Sequence, residues 1–137
     1  RALSKSTCLS ADVNAAFDPT YASAFEARNC SYLNNGVVIS KYTGHGGKYD
    51  TSDASAEYMG KVRSLLESNH ILWQIGELGR VDLGGGGTIA KYVANMNVDV
   101  VDLGVPVLSM HAPFEIISKT DVYMAYKAFF AFFDEKK

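Results

Sequence analysis

Two residues in this chain have the chemistry to hold charge at a strand end. His111 lies in Gly104-Val-Pro-Val-Leu-Ser-Met-His-Ala-Pro-Phe-Glu115, where an apolar, strand-like run gives way to an imidazole, a proline and a carboxylate. Asp12 closes another short apolar run, Cys8-Leu-Ser-Ala-Asp12, far upstream. In open α/β proteins ligands gather beyond strand ends, because the strands are rigid and the loops after them are free to carry polar groups. Two such groups at two such ends point to one shared site. Position alone leaves two readings: a hydrogen-bonded histidine capping a strand beside a turn-forming aspartate, or metal ligation by imidazole and carboxylate, donors that zinc, manganese and cobalt accept. Two donors do not fill a coordination sphere. Glu115 lies four residues beyond His111, but the intervening Pro113 opposes a helix that would align them. His45, in a glycine-rich loop, and His70, after an amphipathic helix, are expected to face solvent.

The run Gly84-Gly-Gly-Gly87 before Thr88 offers backbone amides that can cradle an anion. It lacks the Gly-Lys-Ser/Thr ending of a P-loop, and Ile89 stands where a dinucleotide fingerprint needs its third glycine. A plain turn and a ligand-contacting loop both remain open. A Ser109 nucleophile is set aside, since the strand pattern points it and His111 to one face with no orienting acid.

The elements that must position these residues alternate between strand and helix. Strands are expected at the end of 8–12, over Val37–Thr43 and Ile71–Ile75, and in the buried runs Asp99–Leu103 and Val105–Met110. Residues 13–35 read as an irregular excursion rich in turn formers. Helical stripes are expected at Tyr58, Val62, Leu65 and Leu66, at Ile89, Tyr92, Val93 and Met96, and at Val122, Tyr126, Phe129, Phe130 and Phe133. The pattern predicts an α/β fold with a mixed or mostly parallel central sheet flanked by helices.

Composition bounds the function. With 137 residues and 47% hydrophobic content the chain fits one globular domain with a real core. Its 13 basic and 15 acidic residues give a net charge of −2 without a basic surface, which opposes nucleic acid as a partner. No apolar stretch approaches the roughly 20 residues that cross a bilayer, so no membrane partner is expected. Two cysteines without metal spacing point to a reducing, cytoplasmic setting. The chain opens on Arg1 and runs almost at once into strand-like sequence, as a piece of something longer would.

Taken together, Leu9-Ser-Ala-Asp-Val13, Leu33-Asn-Asn-Gly-Val-Val-Ile39, Gly85-Gly-Gly-Thr-Ile89, Val101-Asp-Leu-Gly-Val-Pro106, Leu108-Ser-Met-His-Ala-Pro-Phe-Glu115 and the helix start at Asp121-Val-Tyr123 resemble, in order, the M18 metallo-aminopeptidases, the aspartyl aminopeptidase and aminopeptidase I group. The resemblance implies a zinc-exopeptidase-like fold, with residues 1–137 as the carboxy-terminal portion of the catalytic domain. It implies two divalent metal ions, zinc in most members, with Asp12 ligating one and His111 the other. The remaining ligands and the general-base glutamate belong to a segment upstream, so none of this chain's own residues is assigned a catalytic role. Gly86, Gly87 and Thr88 correspond to a loop lining the substrate pocket, the substrate is a peptide, and the full-length protein is expected to be a homo-oligomer. Where aspartyl-specific members read Ser-Ala-Asp-Met-Ala-His, this chain reads Ser-Ala-Asp-Val-Asn-Ala, which fits a neutral or broader preference. The competing expectation is a catalytically incomplete α/β ligand-binding or interaction module.

Overall fold

The computed structural model describes residues 1–46, 49–80 and 82–135, without the His45 side chain, so the expectation for His45 and part of that for the Gly44–Asp50 loop fall outside the described residues. The β-branched and apolar runs form a four-stranded sheet from β1 (Thr7–Ala11), β3 (Val37–Ser40), β5 (Trp73–Ile75) and β7 (Asp99–Gly104), ordered β1-β7-β3-β5. β1 runs parallel to β7, β7 antiparallel to β3, and β3 parallel to β5, so the sheet is mixed.

Side chains alternate across a strand, which gives this sheet two unlike faces. Leu9, Val37, Ile39, Val101 and Leu103 form one, and they share a core with Tyr58, Met59, Val62 and Leu66 of helix α1 (Ala56–Ser68) and Ala128 and Ala131 of helix α3 (Lys119–Asp134). Ser55 caps α1 by accepting from the Tyr58 amide. Ser10, Val38, Ser40 and Asp102 alternate onto the other face, so one side of the sheet is apolar and the other carries buried polar groups among valines.

Beyond Asp12 and Val13 the β1 chain resumes as β2 (Asn14–Ala15), and beyond Val105 the β7 chain resumes as β8 (Pro106–Leu108). β2 and β8 stay parallel neighbours, and the Asn14 amide donates to the Val105 carbonyl at 3.0 Å across the break. β9 (Ile116–Ile117) returns antiparallel to β8. Two further short strands, β4 (Gly44–His45) and β6 (Gly85–Gly86), pair antiparallel and tie the glycine run to the 44–46 segment. Among the described residues no helix is long and apolar enough to cross a membrane.

Several sequence expectations need correction. The strand expected over Val37–Thr43 ends at Ser40, because beyond it the chain folds back on itself, with Ala54 donating to the Lys41 carbonyl. The second helix is only α2 (Ala90–Ala94); it rests on the sheet through the buried Ala90, while Ile89 is 65% exposed and Tyr92 and Met96 also face outward. In α3 the expected stripe is out of phase: Phe129 packs inward, but Val122, Tyr126, Phe130 and Phe133 are exposed. Alanines at the contact let α3 lie close to the sheet, and a helix apolar on most of its circumference gives periodicity no way to choose its inner face. Ser109 and His111 do not lie on a strand, since β8 stops at Leu108 and both adopt left-handed backbone, φ 58° and 67°.

Candidate metal and substrate cleft

The break between β1 and β2 carries Asp12 outward. A Cβ on Gly104 would sit 1.2 Å from the Asp12 carbonyl oxygen, so the neighbouring strand accepts this bulge because residue 104 has no side chain. Asp12 Oδ1 accepts from the Val13 amide at 2.8 Å, which occupies one carboxylate oxygen. The turn is anchored from below by a buried network. Ser31 donates to Asn14 Oδ1 at 2.7 Å, Asn14 Nδ2 donates to Ser40 Oγ at 3.0 Å, and Ser40 donates to the Gly76 carbonyl at 2.7 Å.

His111 leaves the end of β8 in a tight turn bounded by two left-handed residues, Ser109 and itself. Non-glycine residues in that region are strained, at a cost of about 1–3 kcal/mol each, and such strain clusters at functional sites. Glu115 accepts from the His111 backbone amide at 2.5 Å, so its carboxylate closes the turn. His70 is exposed, as expected.

Asp12, His111, Gly86, Gly87 and Thr88 all line one open cleft of about 320 Å³, together with Val13, Leu78, Gly79, Gly85 and Met110. The five residues singled out in the sequence therefore meet. The four glycines differ in what requires them. Gly85 is at φ 109°, and a Cβ on Gly84 would lie 2.8 Å from the Arg80 amide nitrogen. A Cβ on Gly86 meets nothing within 4 Å, and one on Gly87 only the Lys91 ammonium and the Asp50 carbonyl near that limit. Packing explains Gly84 and backbone conformation explains Gly85, whereas Gly86 leaves free space beside the cleft.

Asp102, absent from the sequence-based candidates, stands beneath this cleft. It is 6% exposed, and its Oδ2 accepts from Thr88 Oγ1 at 2.9 Å. Ser10 is its register partner on β1, yet Ser10 Oγ and Asp102 Oδ1 each lack a well-formed hydrogen bond among the described residues. Burial holds the Asp102 carboxyl above the usual carboxylate range; the neighbouring Ser10 and Thr88 hydroxyls act against this, and the Asp12 charge reinforces it. A carboxylate midway along a strand that otherwise reads as buried was the available signal, since aspartate is rarely buried without a specific partner.

A carboxylate and an imidazole on one cleft suit zinc as donors. Among the described residues no group of three or more His, Cys, Asp or Glu could hold a metal, so the pair accounts for only part of a coordination sphere.

The family profile described as Aminopeptidase I zinc metalloprotease (M18) matches residues 1–133. The chain belongs to the M18 family. It is 49% identical over 135 residues to a probable M18 family aminopeptidase 1 of Borrelia garinii, covering 98% of this chain and 30% of that protein. The M18 aminopeptidase structure from Thermotoga maritima superposes with a TM-score of 0.94 at 43% identity, covering 98% of this chain and 30% of the other. A further structure, PhTET1-12s, described as a dodecamer in its asymmetric unit, gives a TM-score of 0.66 at 25% identity over 92% of this chain and 33% of that one. The chain thus spans about 30% of the length of the M18 relatives it matches. Zinc is the metal named in the family's description.

Proposed function

We propose that the full-length protein is a metallo-aminopeptidase removing amino-terminal residues from peptides, and that residues 1–137 form the carboxy-terminal part of its catalytic domain. In this reading Asp12 and His111 each ligate one of two zinc ions, and Gly86, Gly87 and Thr88 contact the peptide. The observation that carries it is the convergence of these five residues on one cleft.

When bound, zinc supplies Lewis-acid polarisation of the scissile carbonyl and a more acidic water. Asp12 and His111 hold rather than react: the Val13 amide orients the Asp12 carboxylate, and the left-handed turn places the His111 backbone at the cleft. Gly86 and Gly87 let the substrate backbone approach without meeting a side chain. Thr88 commits its hydroxyl proton to Asp102, so it is not a proton donor toward substrate. The proton-shuttling glutamate comes from outside this chain. The departure after Asp12, Val-Asn-Ala, supports a neutral or broader preference over one for acidic amino-terminal residues. The dodecameric relative supports homo-oligomeric assembly, and the two free cysteines support a reducing, cytoplasmic compartment.

In the full-length protein, His111→Ala is expected to lower bound zinc, measured by elemental analysis, and to abolish hydrolysis of aminoacyl anilides. Zinc content and turnover at the unmutated level would overturn the assignment. The incomplete donor set also fits a second reading, a ligand-binding module without catalysis. Calorimetric titration separates the two: such a module binds small peptides equally with and without zinc.

A further inference from the structure

The glycine run is a poor candidate for self-organisation, since four successive glycines lose more conformational freedom on ordering than any other tetrapeptide. Its backbone attachments are local: β6 pairs with the two-residue β4, Gly46 donates to the Gly84 carbonyl, and Gly84 donates to the Arg80 carbonyl. These partners belong to other loops. A side-chain link to the central sheet is made by Thr88, whose hydroxyl donates to Asp102 on β7 at 2.9 Å, next to the buried Ala90 by which α2 rests on the sheet.

Thr88 donates to Asp102 Oδ2 and accepts from the Ala90 amide 3.3 Å away, and its hydroxyl lies 3.4 Å from Thr43 Oγ1. One hydroxyl therefore joins the last glycine, the first turn of α2, the end of the β3 chain and the sheet's buried carboxylate. Asp102 has a rigid seat for this task, centred on a strand paired on both sides, with Ser10 in register on one and Ser40 on the other.

We propose that Asp102 is a positioning residue for the substrate cleft: through Thr88 it holds the glycine segment in register with the sheet end that bears Asp12. The proposal deepens the aminopeptidase reading and rests on it for the identity of what binds. Misplacement of a binding segment by about an ångström is enough to weaken binding severely.

The test uses the full-length protein, with amide hydrogen exchange over residues 84–90, bound zinc, and steady-state kinetics on an aminoacyl p-nitroanilide. Thr88→Val keeps the shape and removes the hydroxyl. It is expected to speed exchange across the segment and raise KM about tenfold, with bound zinc unchanged and kcat reduced less than kcat/KM. Thr88→Ser, which keeps the hydroxyl, is expected to retain the unmutated exchange pattern. Asp102→Ala should reproduce the Thr88→Val profile, and the double variant should add nothing to it, the mark of one shared interaction. If Asp102→Ala fails to fold, the two Thr88 variants decide alone. Exchange indistinguishable from the unmutated protein in Thr88→Val, with KM within about twofold, overturns the proposal. Should the unmutated protein hydrolyse no aminoacyl substrate, the aminopeptidase reading fails, while the exchange comparison still decides whether Asp102 anchors the segment.

Discussion

Gly86 and Asp102 show how single residues divide between architecture and function in this cleft. Because a Cβ at Gly86 meets no atom within 4 Å and the residue is not in left-handed backbone, Gly86→Ala is expected to leave unfolding free energy within about 0.5 kcal/mol of the unmutated value. The added methyl enters the space beside the cleft, so KM for aminoacyl substrates should rise. A large loss of stability with unchanged KM would instead make Gly86 a packing residue. Asp102 carries a pH signature. Burial raises its folded-state pKa above the unfolded value, so between the two values the folded state binds more protons than the unfolded. Its contribution is therefore most favourable below the ordinary carboxylate pKa, declines as pH rises through the raised value, and is flat above it. Comparing denaturant midpoints of the unmutated protein and Asp102→Asn from acid to neutral pH should show the unmutated protein relatively more stable at the acid end. A difference independent of pH would contradict this.

At the scale of elements, the crossing of the β1–β2 bulge over β7 sets where Asp12 stands. Gly104→Ala would bring a Cβ to 1.2 Å from the Asp12 carbonyl, a backbone clash that no rotamer relieves. The expected cost is about 3 kcal/mol or more in urea unfolding, at or beyond the usual range for overpacking. Because the strands must part at Asp12, zinc affinity of the full-length protein should fall as well. A fully stable variant would mean the bulge can move without penalty. Not all of this was legible in the sequence. The end of β1 was, because an apolar run stopping at Asp12 marks where burial ends, and α1 was, because its polar and apolar sides differ; β8 stops at Leu108, short of the Met110 expected from the apolar run. The inner faces of α2 and α3 were not. There the contacts are Ala90, Ala128 and Ala131, chosen for small volume, which a hydrophobic periodicity does not weigh. Asp121, fully buried, was named only as part of a helix start. It accepts from the Asn34 and Gly36 amides at 2.8 Å each, a long-range clamp that local sequence patterns do not encode. The Asp102–Thr88 pair escaped for the same reason, since its meaning depends on which loop crosses the polar face of the sheet.

At the scale of the whole molecule a buried seam and an exposed aromatic face lie on opposite sides of α3. The seam lies between the sheet and the inner faces of α1 and α3. The exterior is the outer face of α3, where Tyr123 stacks on Tyr126 at 6.3 Å between ring centroids and Tyr126 meets Phe130 at 6.2 Å. Tyr126 is 62% exposed, Phe130 61% and Phe133 81%, so the aromatic ladder from Tyr123 to Phe130 is open to solvent. Contiguous apolar patches of more than a few hundred Å² are rare on monomeric proteins, because covering them removes area worth about 25 cal/mol per Å² from water. The 137-residue chain in isolation is therefore expected to self-associate through α3. Analytical ultracentrifugation should give a species heavier than the monomer, with weight-average mass rising with concentration. Tyr126→Glu combined with Phe130→Glu places two like charges four residues apart on that face without touching the core, and should return the chain to a monomer with its helical circular dichroism intact. Monomeric sedimentation of the unmutated chain at high concentration would mean that the aromatic ladder is too narrow to hold two copies together.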